Sequence, residues 1–355
     1  MTSPAVSVVM SVYNGERFLR EAVESILDQS FREFEFIIVN DGSTDGSAAI
    51  LNEYQSADAR VKVHHEKHAG LVPSLNRGCE LAEGKYIARM DADDIAKEDR
   101  LISQLNFMEC HPEIAVLGGA VEWIDANARS LGTCRYPSED REIKATQLND
   151  CAVWHPTVLL RKEVFVWAGG YRSVVVDAED YDLWLRIGER FQLANLNQVV
   201  LKYRIHPHQV SLRKRAQQTR GILAAQIAAK RRKDGLPDPL RDIKEIAADT
   251  LVGWGVSVSE QRSRFVIDTA RWIQNMCMAG EYSTALDAAQ EVLQGNVDGI
   301  DPMKIADLHL TVAALLWRER RIPRSAVSLA FAILAWPRVA GRPFKRMLKS
   351  FSGND

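Results

Sequence analysis

Over its first 90 residues the chain alternates short apolar runs with longer amphipathic stretches, and this alternation limits the folds open to it. The runs at residues 7–12, 34–39, 61–65 and 85–90 are rich in Val and Ile, continuous, and too short for stable helices. They read as strands buried on both faces. Residues 18–27, 45–54 and 71–82 lie between them and carry the 3.6-residue period of helices with one apolar side. Strand and helix in alternation predict an α/β fold that begins as a doubly wound parallel sheet. Such sheets bind ligands outside the carboxyl ends of their strands. The residues at those places are Tyr13 and Asn14, Asn40 and Asp41, and Asp91 through Asp94.

Beyond residue 94 the order becomes mixed, with a helix near 100–110, strands near 115–117 and 121–124, a helix near 161–168 and a strand at 199–205. Basic helical sequence at 213–233 then leads to Asp234-Gly235-Leu236-Pro237-Asp238-Pro239, whose composition marks a linker. The remainder reads as helices, with hairpins over 265–293 and 305–334. Gly280-Glu281-Tyr282 with Ala285 faintly resembles a tetratricopeptide turn, but two copies do not make an array. At 355 residues the chain exceeds the size at which one core usually keeps growing. The expected division is a sheet domain over 1–215 and an all-helical region over 216–355.

Asp91-Ala92-Asp93-Asp94 is the strongest chemical signal. Three carboxylates in four residues repel one another, and a hard divalent cation such as Mg2+ or Mn2+ would offset them. Through that metal an acidic site can accept a nucleotide diphosphate and stabilise it as it leaves. The alternative is an exposed acidic turn whose last Asp caps a helix starting at Ile95. Asp41 is placed to accept from a ribose hydroxyl or a base N–H, while Ser43, Thr44 or Asp45 suffices as the cap of the next helix. Asp177, Glu179, Asp180 and Asp182 open a helix whose Leu183, Ile187 and Phe191 share one face. Acids there favour the helix dipole, and one of them could equally deprotonate an acceptor hydroxyl. His155 and His206 stand beside prolines near expected strand ends and are more often packed residues than ligands. No Gly-x-Gly-x-x-Gly follows the first strand and no Walker-type lysine loop occurs, which argues against dinucleotide or P-loop binding.

Together Ser11-Val12-Tyr13-Asn14-Gly15, Asn40-Asp41-Gly42-Ser43-Thr44-Asp45, Met90-Asp91-Ala92-Asp93-Asp94, Gly169-Gly170-Tyr171, Glu179-Asp180-Tyr181-Asp182-Leu183-Trp184 and Tyr203-Arg204-Ile205-His206 closely resemble family 2 glycosyltransferases over residues 5–212. The resemblance implies the GT-A nucleotide-sugar fold, a mixed sheet flanked by helices, and an inverting transfer from a nucleotide-sugar donor, with UDP-sugars the leading choice. It further implies that Tyr13, Asn14 and Asp41 contact the nucleoside, that Asp91 and Asp93 hold the ribose and metal region, and that His206 helps to hold the metal or diphosphate. Glu179 and Asp180 would supply the base, with Asp180 preferred, and His155, Gly170 and Tyr171 would line the acceptor side. Ser11 departs from the Pro common at that place. A haloacid-dehalogenase-type phosphatase also places Asp-x-Asp after a strand, but after the first one, whereas here it follows the fourth. A catalytically silent scaffold would be signalled by loss of the metal or base carboxylates, and both are present.

The formal net charge of −2 supplies no global field for nucleic acid. Five widely spaced cysteines without a Cys-x-x-Cys pair fit a reducing compartment. The N-terminus lacks the basic flank and cleavage site of a signal peptide, and the longest apolar run, 326–336, falls short of the roughly 20 residues that span a bilayer. A cytoplasmic location is therefore expected, and the family resemblance implies a role in polysaccharide or lipopolysaccharide assembly, acting on a glycan or lipid-linked acceptor. Residues 317–350 carry nine Arg or Lys against the single acid Glu319, and their apolar partners include Leu329, Ile333 and Trp336. That pattern predicts either peripheral contact of residues 317–351 with the inner face of the cytoplasmic membrane, or helical packing or a homodimer contact with a solvated basic side.

Overall fold

The computed structural model describes residues 4–207, 212–295 and 299–338. The alternating segments form β1 (Val6–Val12), α1 (Glu16–Leu27), β2 (Phe34–Asp41), α2 (Ser47–Ala57), β3 (Val61–Glu66), α3 (Leu71–Leu81) and β4 (Tyr86–Met90). These four strands are parallel in the order β3-β2-β1-β4. Both faces are covered: Val8, Met10, Phe36, Ile38 and Ala88 enter one apolar core, and Val9, Ile37 and Ile87 the other. Double burial is why their sequences are continuously apolar. Gly78 permits α3 to lie close on the sheet, since a Cβ there would stand 2.5 Å from Val9 Cγ1.

After β4 come β5 (Ile95–Ala96), α4 (Arg100–Cys110), β6 (Ile114–Ile124), β7 (Ser130–Cys134), α5 (Asp140–Gln147), a 3-10 turn at His155–Thr157, β8 (Leu159–Arg161), α6 (Lys162–Trp167), α7 (Glu179–Gly188) and β9 (Gln192–Arg204). The sheet continues from β4 through β8, β6, β9 and β5, and β4–β8, β8–β6 and β9–β5 are antiparallel while β6–β9 is parallel. It is mixed, as the sequence implied.

Two expectations change in detail. The strands foreseen at 115–117 and 121–124 are one strand, because Gly118 and Gly119 interrupt the apolar pattern without ending the ladder. A Cβ on Gly119 would meet Val200 Cγ2 at 2.6 Å, so small residues are what let β9 pack there. The strand foreseen from 199 begins at Gln192. Buried Asn195 hides it from the apolar pattern, with its Nδ2 donating to Pro137 O at 2.7 Å and Ala152 O at 2.9 Å.

The chain divides into two compact units, one of residues 1–124, 132–204 and 224–244, the other of 125–131, 205–223 and 245–355. Residues 234–239 belong to the first, where Asp238 accepts from Arg172 and Arg232 at 2.8 Å each. Burial alone would raise the Asp238 pKa, but these partners, Arg172 foremost, hold it down to about 2. The chain then forms α8 (Leu212–Lys233), α9 (Ala248–Gly253), α10 (Val258–Met278), α11 (Tyr282–Gln294), α12 (Pro302–Arg318) and α13 (Ile322–Ala335). The helical C-terminal region foreseen from the sequence is thus present. A reciprocal capping box of Ser257 and Glu260 starts α10, and Asp301 caps α12 ahead of Pro302. Among the described residues no helix is long and apolar enough to cross a membrane.

Candidate active site

The strand order reverses between β1 and β4, since β2 and β3 lie on one side of β1 and β4 on the other. The crevice at such a switch point is where an open α/β sheet binds its ligand. Tyr13 and Asn14 leave β1 there, and Asp91 leaves β4.

The loops after β1 and β2 interlock. Asn14 takes a left-handed backbone, φ 51°, donates its N–H to Ser43 Oγ at 3.0 Å and accepts from Thr44 N at 2.8 Å. Asp45 accepts from Glu16 N at 3.1 Å, and Glu16 in turn accepts from Gly46 N at 2.8 Å. The polar residues after β2 are therefore braces, and the N-cap of α2 is Gly46 rather than Ser43, Thr44 or Asp45, although Asp45 accepts from Ser47 N at 3.0 Å. Asp41 is almost fully buried, and its two carboxylate oxygens accept from Ala69 N at 2.8 Å and Gly70 N at 2.9 Å. His68 Nδ1 lies 2.9 Å from Asp41 Oδ2, and the His68 ring stacks on half-exposed Tyr13 with centroids 4.1 Å apart. Nothing in the sequence singled out His68, whose neighbours are set by the chain returning from β3.

At the end of β4 the three aspartates separate into different environments. Asp91 pairs with the buried Arg89 guanidinium. Asp94 is fully buried, and its Oδ1 accepts from Arg204 N at 2.8 Å. Asp93 is partly exposed, and its backbone carbonyl accepts from Arg204 Nε at 2.8 Å. Arg204 is itself fixed over Phe18, 4.4 Å from the ring centroid. The next residues form β5, so no helix begins at Ile95. Burial raises the pKa of Asp91, and the adjacent Asp93 charge adds to this; burial likewise holds Asp94 well above the ordinary carboxylate range. Carboxylate oxygens of all three lie within 4.8 Å of one another, and Asp94 Oδ2 is buried without a hydrogen-bond partner. An all-oxygen set of this kind fits a hard divalent cation.

The second acidic group divides similarly. Asp182 is fully buried and pairs with Arg186 at 2.9 Å, a structural use. Glu179 and Asp180, by contrast, face His155, and ligand atoms of the three lie within 4.8 Å of one another. His155 Nε2 is hydrogen-bonded to the Tyr171 hydroxyl at 2.8 Å, and its Nδ1 stands 3.9 Å from Glu179 Oε1. Tyr171 is held on α3 by Asn76, which accepts from Tyr171 N and donates to Tyr171 O, each at 2.9 Å. Gly170 makes that approach possible: its φ is 71°, and a Cβ there would stand 2.8 Å from Asn76 Oδ1. Burial, then the charge of Asp180, pushes Glu179 up to about 8, and burial pushes Asp180 up to about 6. Burial, with help from Arg89, keeps His155 well below its ordinary value and hence neutral. The Arg89 charge acts on Asp91, Glu179, Asp180 and His155 alike, so one buried cation serves both clusters.

A stability test follows from Glu179. Its folded pKa of about 8 stands above the ordinary 4.5, so the folded state binds more protons than the unfolded state in that interval and stability falls as pH rises through it. Glu179→Gln removes the titration. Its melting temperature should exceed that of the native protein above pH 8, and the gain should vanish towards pH 4.5, in thermal unfolding scans across pH.

His206 is buried in the second unit. The other foreseen residues form three groups in the first unit: Tyr13, Asn14 and Asp41 around the interlocked loops; Asp91 and Asp93 after β4; and Glu179, Asp180, His155, Gly170 and Tyr171 around the start of α7. His68, Arg89 and Arg204 join them from the structure.

Residues 7–166 match the model of glycosyl transferase family 2. An uncharacterized glycosyltransferase of Methanocaldococcus jannaschii is 35% identical over 210 residues, which cover 58% of this chain and 72% of that one. The O-antigen biosynthesis glycosyltransferase WbnJ of Escherichia coli is 32% identical over 209 residues, 57% of this chain and 80% of its own. Among solved structures, TarS of S. aureus with UDP-GlcNAc superposes with a TM-score of 0.51 at 18% identity, covering 92% of this chain and 90% of that one. A mannosyltransferase of Pyrobaculum calidifontis with GDP-Man and Mn2+ gives 0.51 at 17%, covering 95% and 89%. At those identities the superpositions speak for the fold alone, which is that of GT-A enzymes. Since this chain spans 72% of a relative 35% identical to it and carries the family's pattern from β1 onward, it belongs to glycosyl transferase family 2.

Proposed function

We propose that this protein is a metal-dependent, inverting glycosyltransferase that moves a sugar from a nucleotide-diphosphate sugar, a UDP-sugar by preference, to a hydroxyl of a glycan or lipid-linked acceptor. The observation that carries the proposal is the pairing of two carboxylate groups with distinct surroundings, one at the strand switch point and one at the start of α7, both within the field of Arg89. The first suits a diphosphate with its cation, and the second a proton acceptor.

The exposed side of Tyr13 receives the base, and Asp41, whose oxygens keep lone pairs beyond their backbone bonds, accepts from the nucleoside. Asn14 holds the loop that carries both contacts. Asp91 and Asp93 would hold Mn2+ or Mg2+. A cation held there would offset the charge of the donor diphosphate as it leaves. Asp180 takes the proton from the acceptor hydroxyl as its oxygen attacks the anomeric carbon. Glu179, held largely protonated near neutral pH, keeps a second negative charge away from that base. His155 and Tyr171 line the acceptor side. A single displacement inverts the anomeric centre and requires no separate nucleophile. We take residues 1–215 as the catalytic domain, and WbnJ together with the amylovoran biosynthesis glycosyltransferase AmsE of Erwinia amylovora supports a role in polysaccharide assembly.

Thermal unfolding with a panel of nucleoside diphosphates, with and without Mn2+, tests the donor. A ligand present at about 100 times its Kd raises stability by about 2.7 kcal/mol. UDP with Mn2+ should give the largest shift, and slow release of UDP from UDP-sugars without acceptor should accompany it. No shift with any diphosphate and no hydrolysis would leave the silent scaffold as the better account.

A further inference from the structure

The last described helix, α13, has one charged residue, Arg324, and packs on α12 through Ser325 and Ala332. Its outer side is apolar and open. Val327, Phe331 and Leu334 are 55%, 51% and 77% exposed, and with exposed Ala330 they form one stripe at i, i+3, i+4 and i+7. His309 stacks on one side of Phe331, with centroids 5.4 Å apart, and leaves the stripe uncovered. Exposed Trp317 and Ile322 extend the apolar surface around the α12–α13 turn. Exposed Arg318, Arg320, Arg321, Arg324 and Arg338 flank the stripe in sequence, with Glu319 the one acid between residues 317 and 338. Arg321 is paired with Glu319 at 3.2 Å, and Arg318 lies over the Tyr282 ring at 3.9 Å. Arg342, Lys345, Arg346 and Lys349 continue the basic sequence, outside the described residues.

A helix apolar on both sides is covered on both sides, and a contiguous apolar stripe rimmed by one sign of charge selects its cover by charge. We infer that the outer stripe of α13 docks on an anionic lipid surface, with Val327, Phe331 and Leu334 entering the headgroup boundary and the arginines around the α12–α13 turn meeting lipid phosphates. The mixed signature, apolar depth and cationic rim, is that of an interfacial helix rather than a spanning one. An apolar cover would give Arg320, Arg324 and Arg338 no counter-charge, and a second copy of this chain laid on the same stripe would set like charges against each other. Charge complementarity therefore favours the lipid.

The test is sedimentation of the full-length chain with vesicles of phosphatidylcholine alone and with added phosphatidylglycerol. Binding to the anionic vesicles alone is expected, weakening strongly between about 0.05 M and about 0.5 M salt as screening shortens. The double variant Phe331→Glu, Leu334→Glu should bind at least roughly tenfold more weakly, because it removes the apolar depth and adds repelled charge. Both side chains are exposed, so its unfolding temperature should match the native one. Full recovery of the native chain in the supernatant with both vesicle types at low salt would overturn the inference. So would anionic binding undiminished in the double variant, or a native dimer that the double variant dissociates.

Discussion

Asp180→Asn should lower sugar transfer by about two to four orders of magnitude while donor binding survives. Asparagine keeps the shape of the side chain and its place at the start of α7, where the carboxylate oxygen of Asp180 accepts from Tyr181 N at 2.7 Å. It removes only the ability to take a proton. Donor affinity, read by thermal shift with UDP and Mn2+, should therefore stay near native while the rate with acceptor falls. The pH dependence gives an independent check. Burial sets the Asp180 pKa at about 6, and a base must be ionised to work, so the native rate should fall as pH drops through about 6. Glu179→Gln should cost far less at neutral pH, because Glu179 is largely protonated there already. It should leave the apparent pKa of the rate near 6, since Glu179 is already neutral while Asp180 titrates. A loss in Glu179→Gln as deep as that expected of Asp180→Asn would move the base by one position.

Much of this arrangement was legible in the sequence, and the exceptions share a cause. β1, β2 and β4 were visible because burial on both faces forces a continuous apolar run, and the acids after β4 stood out because uncompensated charge at a strand end demands a partner. Spacing alone could not tell Asp93 from Asp94, and the preference for Asp93 at the metal rests on the family resemblance. One is partly exposed and the other fully buried because Arg204, 110 residues from Asp94, brings its backbone N–H to Asp94. Arg89 was hidden in the same way. In sequence it is a polar interruption of an apolar strand, and only the fold sets it beside Asp91 and within the field of α7. β6 was divided in two because Gly118 and Gly119 break the apolar pattern, although β9 packs against them. Local pattern carries strands and helices, whereas the assignment of charges to roles depends on contacts distant in sequence.

That difference between neighbouring aspartates sets up the second large effect. Asp93→Ala should reduce metal-dependent transfer by roughly three orders of magnitude or more, the scale of several kcal/mol of leaving-group stabilisation. Its fold should persist, because Asp93 is partly exposed and its backbone carbonyl, which accepts from Arg204 Nε, is retained in alanine. Asp94→Ala should behave in the opposite sense. It takes away the acceptor for the buried Arg204 N–H, a loss of about 1–3 kcal/mol, so its melting temperature should drop whether or not metal is present. Measuring both variants by thermal unfolding and by transfer at several Mn2+ concentrations separates the two roles. Asp93→Ala should keep the native melting temperature without metal and lose the Mn2+-dependent shift seen with UDP. Near-native transfer by Asp93→Ala, or native transfer undiminished in excess chelator, would remove the metal from this site and leave Asp91 and Asp93 to act on the donor by hydrogen bonding alone.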